Sequence, residues 1–278
     1  MTNEELTLKC RQLRRDIINM TADAASGHPG GSLSIVEMLA CLYYNTMNID
    51  PANPRWEDRD RFVLSKGHSA PALYAVLADK GFFPREELKN FRQLHSILQG
   101  HPDAKKCPGV DASTGSLGQG ISIAVGMAIG AKLAGKSLQV YTICGDGELQ
   151  EGLVWEASMA AANYKLDNLT VFVDNNGLQI DGPVAKVMSP YPIDEKLRAF
   201  GFHVENIDGN DFDQIETAMN IARATKGQPT AIVMKTVKGK GVSYMENQVG
   251  WHGKAPNDAE YEQAMTELKA QLAELEGK

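Results

Sequence analysis

Two apolar, strand-like runs, residues 138–144 and 169–174, each lead into a loop suited to oxygen coordination. This pairing constrains the fold more than any other feature of the 278-residue chain. Gly145-Asp146-Gly147 follows the first run, and Asn175-Asn176 follows the second twenty-eight residues later. Residues 148–164 between them read as a helix. The two loops therefore fall at the carboxyl ends of neighbouring strands, where α/β sheets gather ligands. One carboxylate, Asp146, and one amide carbonyl, Asn176, suit a hard divalent cation. Mg²⁺ fits best, because it takes one or two carboxylates together with substrate phosphates and keeps water elsewhere. The glycines beside Asp146 let a phosphate approach the backbone closely. Asp-Gly or Asn-Gly alone is an ordinary turn signal. Both together, each after an apolar strand, carry the metal reading.

The alternation continues through an irregular stretch (177–193), a short helix (194–200), a strand (202–207), a helix (211–225) and a strand (230–237). In the first half, apolar residues at helical spacing open the chain up to the Gly/Pro-rich loop 26–31. Residues 34–44 read as a helix, 61–64 as a strand, 69–79 as a helix and 100–118 as a long loop. Residues 119–133 are almost entirely apolar, with Gly126 and Gly130 four apart, so a buried helix with one closely packed face is expected. A closing helix starts at Asn257, with Glu260 completing a capping box, and covers 257–278. The expected fold is α/β, a doubly wound and mainly parallel sheet flanked by helices, with 1–278 as one unit.

A net charge of −7 and the lack of a Lys/Arg run argue against a nucleic-acid surface. No apolar stretch approaches membrane-spanning length. Cys10, Cys41, Cys107 and Cys144 form no CxxC pair, so neither a zinc site nor a redox motif is expected. The opening residues lack an apolar signal core, and a reducing cytoplasm is the simplest setting.

Of six histidines, His28, His68, His101 and His252 adjoin glycine. His28 and His101 also precede proline, which favours extended loops. Imidazoles on such loops can donate to phosphate or hydroxyl oxygens and relay protons near neutral pH. His95 and His203 read as surface or packing residues. The segment 114–120, TGSLGQG, opens the apolar helix. Its glycine spacing differs from the dinucleotide fingerprint, but a helix N-terminus can receive an anion or pack against a flat ring. Glu148, Glu151 and Glu156 read first as helix solvation, with Glu151 and Glu156 as alternative interface carboxylates. The stretch 235–240, KTVKGK, reads as a solvated strand exit.

Taken in order, these elements resemble the N-terminal half of transketolase. The match runs through SGHPGGSLS (26–34), SKGHSAPALY (65–74), GHPD (100–103), TGSLGQGIS (114–122), GDGELQEGLVWEA (145–157), VDNNGLQIDG (173–182), KTVKGKGVSYMEN (235–247) and WHGKAP (251–256). The resemblance implies that thiamine diphosphate is bound through Mg²⁺, with Ca²⁺ or Mn²⁺ as substitutes. Asp146, Asn176 and the Leu178 carbonyl would be the metal ligands. His68, Gly147 and the segment Gly115, Ser116 and Leu117 would contact the cofactor, and His252 would reach both diphosphate and substrate. His28 and His101 would face the sugar, and Glu151 and Glu156 would link two active sites across a dimer interface.

The familiar transketolases are much longer. Their added half holds a pyrimidine-binding domain, whose glutamate activates the cofactor, and a C-terminal domain behind it. The resemblance therefore implies a split enzyme, completed by a separate C-terminal subunit in an α2β2 assembly with two copies of each chain. It would transfer a two-carbon ketol unit from a ketose phosphate to an aldose phosphate. Three alternatives stay open: a split enzyme for a sulfonated or branched sugar, the α subunit of a 2-oxo acid dehydrogenase, and a non-enzymatic cofactor-binding remnant.

Overall fold

The computed structural model describes residues 1–276, so the last two residues of the expected closing helix, 277 and 278, lie outside the described residues. Helix α1 (Asn3–Asp23) opens on a reciprocal capping box between Thr2 and Glu5. Two short helices follow, α2 (Pro29–Leu33) and α3 (Val36–Ala40), and then a π-helical turn (Cys41–Thr46). The helix expected over 34–44 is thus broken and widened at its end, where the Arg223 guanidinium donates to the Thr46 carbonyl. Strand β1 (Arg61–Leu64) leads to α4 (Ala70–Lys80), which stops at Gly81 with φ of 86°. That left-handed geometry favours glycine.

The long loop then reaches α5 (Gln119–Leu133), β2 (Val140–Gly145), a 3₁₀ turn (Gly147–Gln150) and α6 (Gly152–Asn163). Strand β3 (Leu169–Asn175) precedes a small hairpin, β4 (Leu178–Gln179) with β5 (Gly182–Pro183), and the helices α7 (Val184–Val187) and α8 (Ile193–Ala199). The chain continues through β6 (His203–Asp208), α9 (Phe212–Ala224), β7 (Thr230–Lys235) and α10 (Asp258–Glu276). The predicted box at its start is formed: Asn257 and Glu260 each accept the other's backbone N–H, at 2.9 and 2.8 Å.

The five long strands pair in the order β1-β2-β3-β7-β6, all parallel. Alternation along each strand splits the core in two. Phe62, Leu64, Tyr141, Ile143, Phe172, Ile232 and Met234 face the layer built from α1, α3, α4, α9 and α10. Val63, Val140, Cys144, Val171, Val173, Ala231 and Val233 face the layer built from α5, α6 and α8. The sheet is covered on both faces, as parallel sheets require.

Register brings the two site loops together. Gly145 pairs with Asp174, and the Asp146 N–H donates to the Asp174 carbonyl at 3.2 Å. The helix expected from 148 begins only at Gly152, because Glu151 is extended and Glu148 turns inward. Helix α5 also departs from expectation. It buries Ile121, Ala124, Val125 and Ala128, but Gly126 and Gly130 lie on its open side, where an added Cβ would meet nothing within 4 Å. Ile123 and Leu133 share that side, and Leu133 is 84% exposed. A helix apolar all round wants cover on both sides, and the described residues supply one.

Candidate active site

The carboxyl edge of β2 and β3 forms the floor of the site. Asp146 is buried, and its carboxylate accepts N–H bonds from Gly147 at 2.8 Å and Gly177 at 2.5 Å. Burial, and then the charge of Asp174, push its pKa up to about 7. Asn176 is held from behind. Its amide NH₂ donates to Asp174 at 3.0 Å while its carbonyl oxygen accepts the Leu178 N–H at 3.0 Å. Asp174 itself is sealed from water and accepts from Lys66, Thr236, Ser34 and Asn176. Burial raises its pKa, but the Lys66 ammonium and these hydrogen bonds outweigh that and hold the carboxyl below its ordinary range.

A cavity of about 160 Å³ opens above this floor, and Asp146, Gly147, Asn176, Leu178, Leu117 and Glu151 all line it. His68 and His252 close another side, with ring centroids 5.0 Å apart. His28 joins them at 5.3 Å from His68 and 5.6 Å from His252, and His101 lies 6.3 Å beyond His28. The four glycine-flanked histidines thus form one cluster running outward from the cavity. Burial leads the shift in each case. Aided by Arg92, it lowers His28 to about 4; aided by Lys238, it lowers His252 to about 3; His68 and His101 also lie below the ordinary range. These imidazoles are neutral near pH 7, each with one nitrogen to donate and one to accept. The buried Nδ1 of His28 has no partner among the described residues.

Other predicted residues sit at the margins. Gly115 (φ 149°) packs between Gly67 and His101, and a Cβ there would come within 3.0 Å of the His101 ring. Ser116 and Glu156 are exposed and outside the cavity lining. His95 is exposed, and His203 pairs with Glu205 at 2.7 Å, as their surface reading requires.

Lys238 and Glu148 depart from expectation, and Lys66 joins the site without a sequence signal that singled it out. Lys238 is not on a solvated strand exit. It is buried, and its Nζ lies 3.2 Å from the Leu178 carbonyl and 3.0 Å from His252 Nδ1. Burial and the Lys66 charge lower it to about 8. Its sequence signal is present but weak: a lysine between a strand end and Gly239, whose φ of 80° turns the chain back over the site. Lys66, in SKGH, is likewise buried and lines the cavity. Glu148 is buried rather than solvating a helix.

The donor set at the floor consists of one carboxylate, one amide oxygen and one main-chain carbonyl. Among the described residues, no three His, Cys, Asp or Glu side chains converge on a metal position. A hard cation here would need phosphate oxygens and water to complete its shell, as Mg²⁺ ordinarily does. Gly145 gives the phosphate room, since the nearest atom to an added Cβ is 4.0 Å away. The residues present therefore fit a metal-bound diphosphate.

Comparison with known proteins agrees. Residues 3–274 match the family model "Transketolase, thiamine diphosphate binding domain". The chain belongs to the transketolase family. This transketolase-family chain is 46% identical over 247 residues to a 6-deoxy-6-sulfo-D-fructose transketolase subunit of a Clostridium strain, covering 89% of this chain and 90% of that one. It is 40% identical over 270 residues to an apulose-4-phosphate transketolase subunit of Actinobacillus succinogenes, covering 97% and 98%. Human transketolase is 44% identical over 264 residues, which is 94% of this chain but 41% of the human protein. The crystal structure of Campylobacter jejuni transketolase superposes with a TM-score of 0.91 at 34% identity, covering 99% of this chain and 46% of that one. The mainly parallel sheet and the thiamine diphosphate-binding domain are thus shared with transketolases. No helix of the described residues is long and apolar enough to cross a membrane.

Proposed function

We propose that this chain is the diphosphate-binding subunit of a two-subunit transketolase, acting as one unit over 1–278 and active with a separate C-terminal subunit. The carrying observation is that one cavity joins Asp146, Asn176 and the Leu178 carbonyl to a cluster of four neutral histidines. Asp146, Asn176 and Leu178 would hold Mg²⁺ on the diphosphate of thiamine diphosphate, with Ca²⁺ or Mn²⁺ able to replace it. His68, Gly147, Lys238 and the turn through Gly115, Ser116 and Leu117 would hold the cofactor. When bound, the cofactor supplies the carbanion chemistry that breaks and remakes a carbon–carbon bond. His28, His101 and His252 orient sugar hydroxyls and move protons to and from the substrate oxygen, a role open to neutral imidazoles.

Two relatives that this chain matches over most of their length are named as subunits, which supports the separate partner. Glu151 stands at the cavity rim, and Glu156 is exposed on α6, which packs against α5. We place a contact between two copies there, giving an α2β2 assembly. The donor is a ketose phosphate of the pentose phosphate type. The names of the two relatives favour a second reading for the substrate, a sulfonated or branched sugar. Four buried free cysteines fit a reducing cytoplasm.

The test is reconstitution. Purified chain, the candidate C-terminal subunit, thiamine diphosphate and Mg²⁺ should together transfer a ketol unit between ketose and aldose phosphates. Full activity of the single chain would overturn the two-subunit reading. Asp146→Ala binding the cofactor as tightly as the parent would overturn the metal assignment.

A further inference from the structure

Among the described residues, Glu148 is the one buried carboxylate lining the cavity to which the reaction assigns no task. Its Oε1 accepts the Ser65 hydroxyl at 2.5 Å and the Gly118 N–H at 2.9 Å, and its Oε2 accepts the Gly145 N–H at 3.0 Å. Ser65 Oγ in turn accepts the Ile121 N–H at 3.1 Å. Among the described residues, Glu148 has no ion-pair partner. Its charge is met by one hydroxyl and two backbone N–H groups. One of these, from Gly118, lies at the start of α5, whose dipole favours an anion there. The helix start, a place where a phosphate could bind, is therefore occupied by the protein's own carboxylate.

These bonds tie together three chain segments that line the cavity. The first is the end of β1, which runs on to Lys66 and His68. The second is the end of β2, which runs on to Asp146 and Gly147. The third is the glycine turn that delivers Leu117. The junction is tight: a Cβ on Gly120 would sit 2.5 Å from Ser65 Cα, and Gly118 has φ of 81°. Lateral shift of one segment breaks bonds to the other two.

We infer that Glu148, with Ser65, is a positioning residue that fixes the mutual geometry of the three cofactor-contacting segments before the cofactor arrives. The inference rests on the cofactor reading above and deepens it. Pre-organisation lowers the ordering cost of binding, so the effect belongs to cofactor affinity rather than to the sugar steps.

The experiment uses the reconstituted two-subunit complex, with thiamine diphosphate titrated at fixed Mg²⁺. Glu148→Ala should raise the cofactor concentration for half-maximal activity about tenfold or more, the cost of hydrogen bonds lost from a charged group. At saturating cofactor, kcat and the sugar KM should stay within about threefold of the parent, a difference below about 1 kcal/mol. Glu148→Gln keeps an oxygen for Ser65 and Gly118 but presents an amide NH₂ to the Gly145 N–H, so it should restore affinity only in part. Ser65→Ala should weaken the cofactor less, and adding it to Glu148→Ala should cost less than it does in the parent. If Glu148→Ala does not fold by circular dichroism, Glu148→Gln and Ser65→Ala decide the matter alone. Unchanged cofactor half-saturation in the folded variants overturns the inference, as does a kcat loss that saturating cofactor leaves in place. A parent complex that binds no cofactor would instead overturn the functional reading.

Discussion

Lys66 and Asp174 form an ion pair closed off from water, directly behind the Asn176 side chain that the same aspartate orients. The Lys66 ammonium also donates to the Gly31 carbonyl at 2.9 Å, which ties the β3 floor to the segment carrying His28. Removing one member of a fully buried pair leaves the other charge uncompensated. Lys66→Met should therefore destabilise the fold by about 3–5 kcal/mol, read from denaturant unfolding of the isolated chain. A loss of under about 1 kcal/mol, the scale of an exposed pair, would contradict this account of the floor.

Lys238 reaches into the site as a cation beside the Leu178 carbonyl. A charge-assisted bond to phosphate contributes about 1.5–3 kcal/mol. Lys238→Met should accordingly weaken thiamine diphosphate about tenfold to a hundredfold in calorimetric titration of the complex with Mg²⁺. Equal affinities for parent and variant would return Lys238 to a packing role.

The histidine cluster makes the cofactor-free chain acid-sensitive. His28 and His252 have folded-state pKa values of about 4 and about 3, below the ordinary imidazole value. The unfolded chain therefore binds protons first as pH falls. Stability is full above about 6.5 and drains away as pH drops toward those folded values. Thermal midpoints recorded from about pH 7 down to about pH 4 in chelator should fall, and a His28→Gln, His252→Gln chain should fall less steeply. Parallel curves for the two proteins would show that these imidazoles are not buried as neutral groups.

Helices α5 and α6 pack together, and each leaves apolar side chains exposed: Ile123 and Leu133 on α5, and Met159 on α6, which also carries the exposed Glu156. A carboxylate placed there would have to be buried on association. Met159→Glu should shift the sedimentation profile of the reconstituted enzyme from two copies of each chain toward one. An unchanged profile would place the contact between copies elsewhere.

The strand–helix alternation, the two loops after β2 and β3 and the Asn257–Glu260 cap are all legible locally. Each depends on periodicity or on residues within one turn of each other. The same holds for the glycine-flanked histidines, although only chain folding joins loops at 28, 68, 101 and 252 into one cluster. The helix expected from 148 starts later because Glu148 turns inward to reach Ser65, eighty-three residues earlier, and nothing local signals that contact. Lys238 looks solvated in the sequence for the same reason: a lysine's burial depends on a distant carboxylate or carbonyl.

The sequence by itself determined the sheet class and the chemistry of its two loops, because strand alternation and oxygen-donor spacing are short-range properties of the chain. Tertiary structure alone decided which charges are sealed inside, that the start of α5 is filled by Glu148, and that Gly126 and Gly130 face outward. Those outcomes depend on which surfaces meet when remote segments pack, and no local window contains both partners.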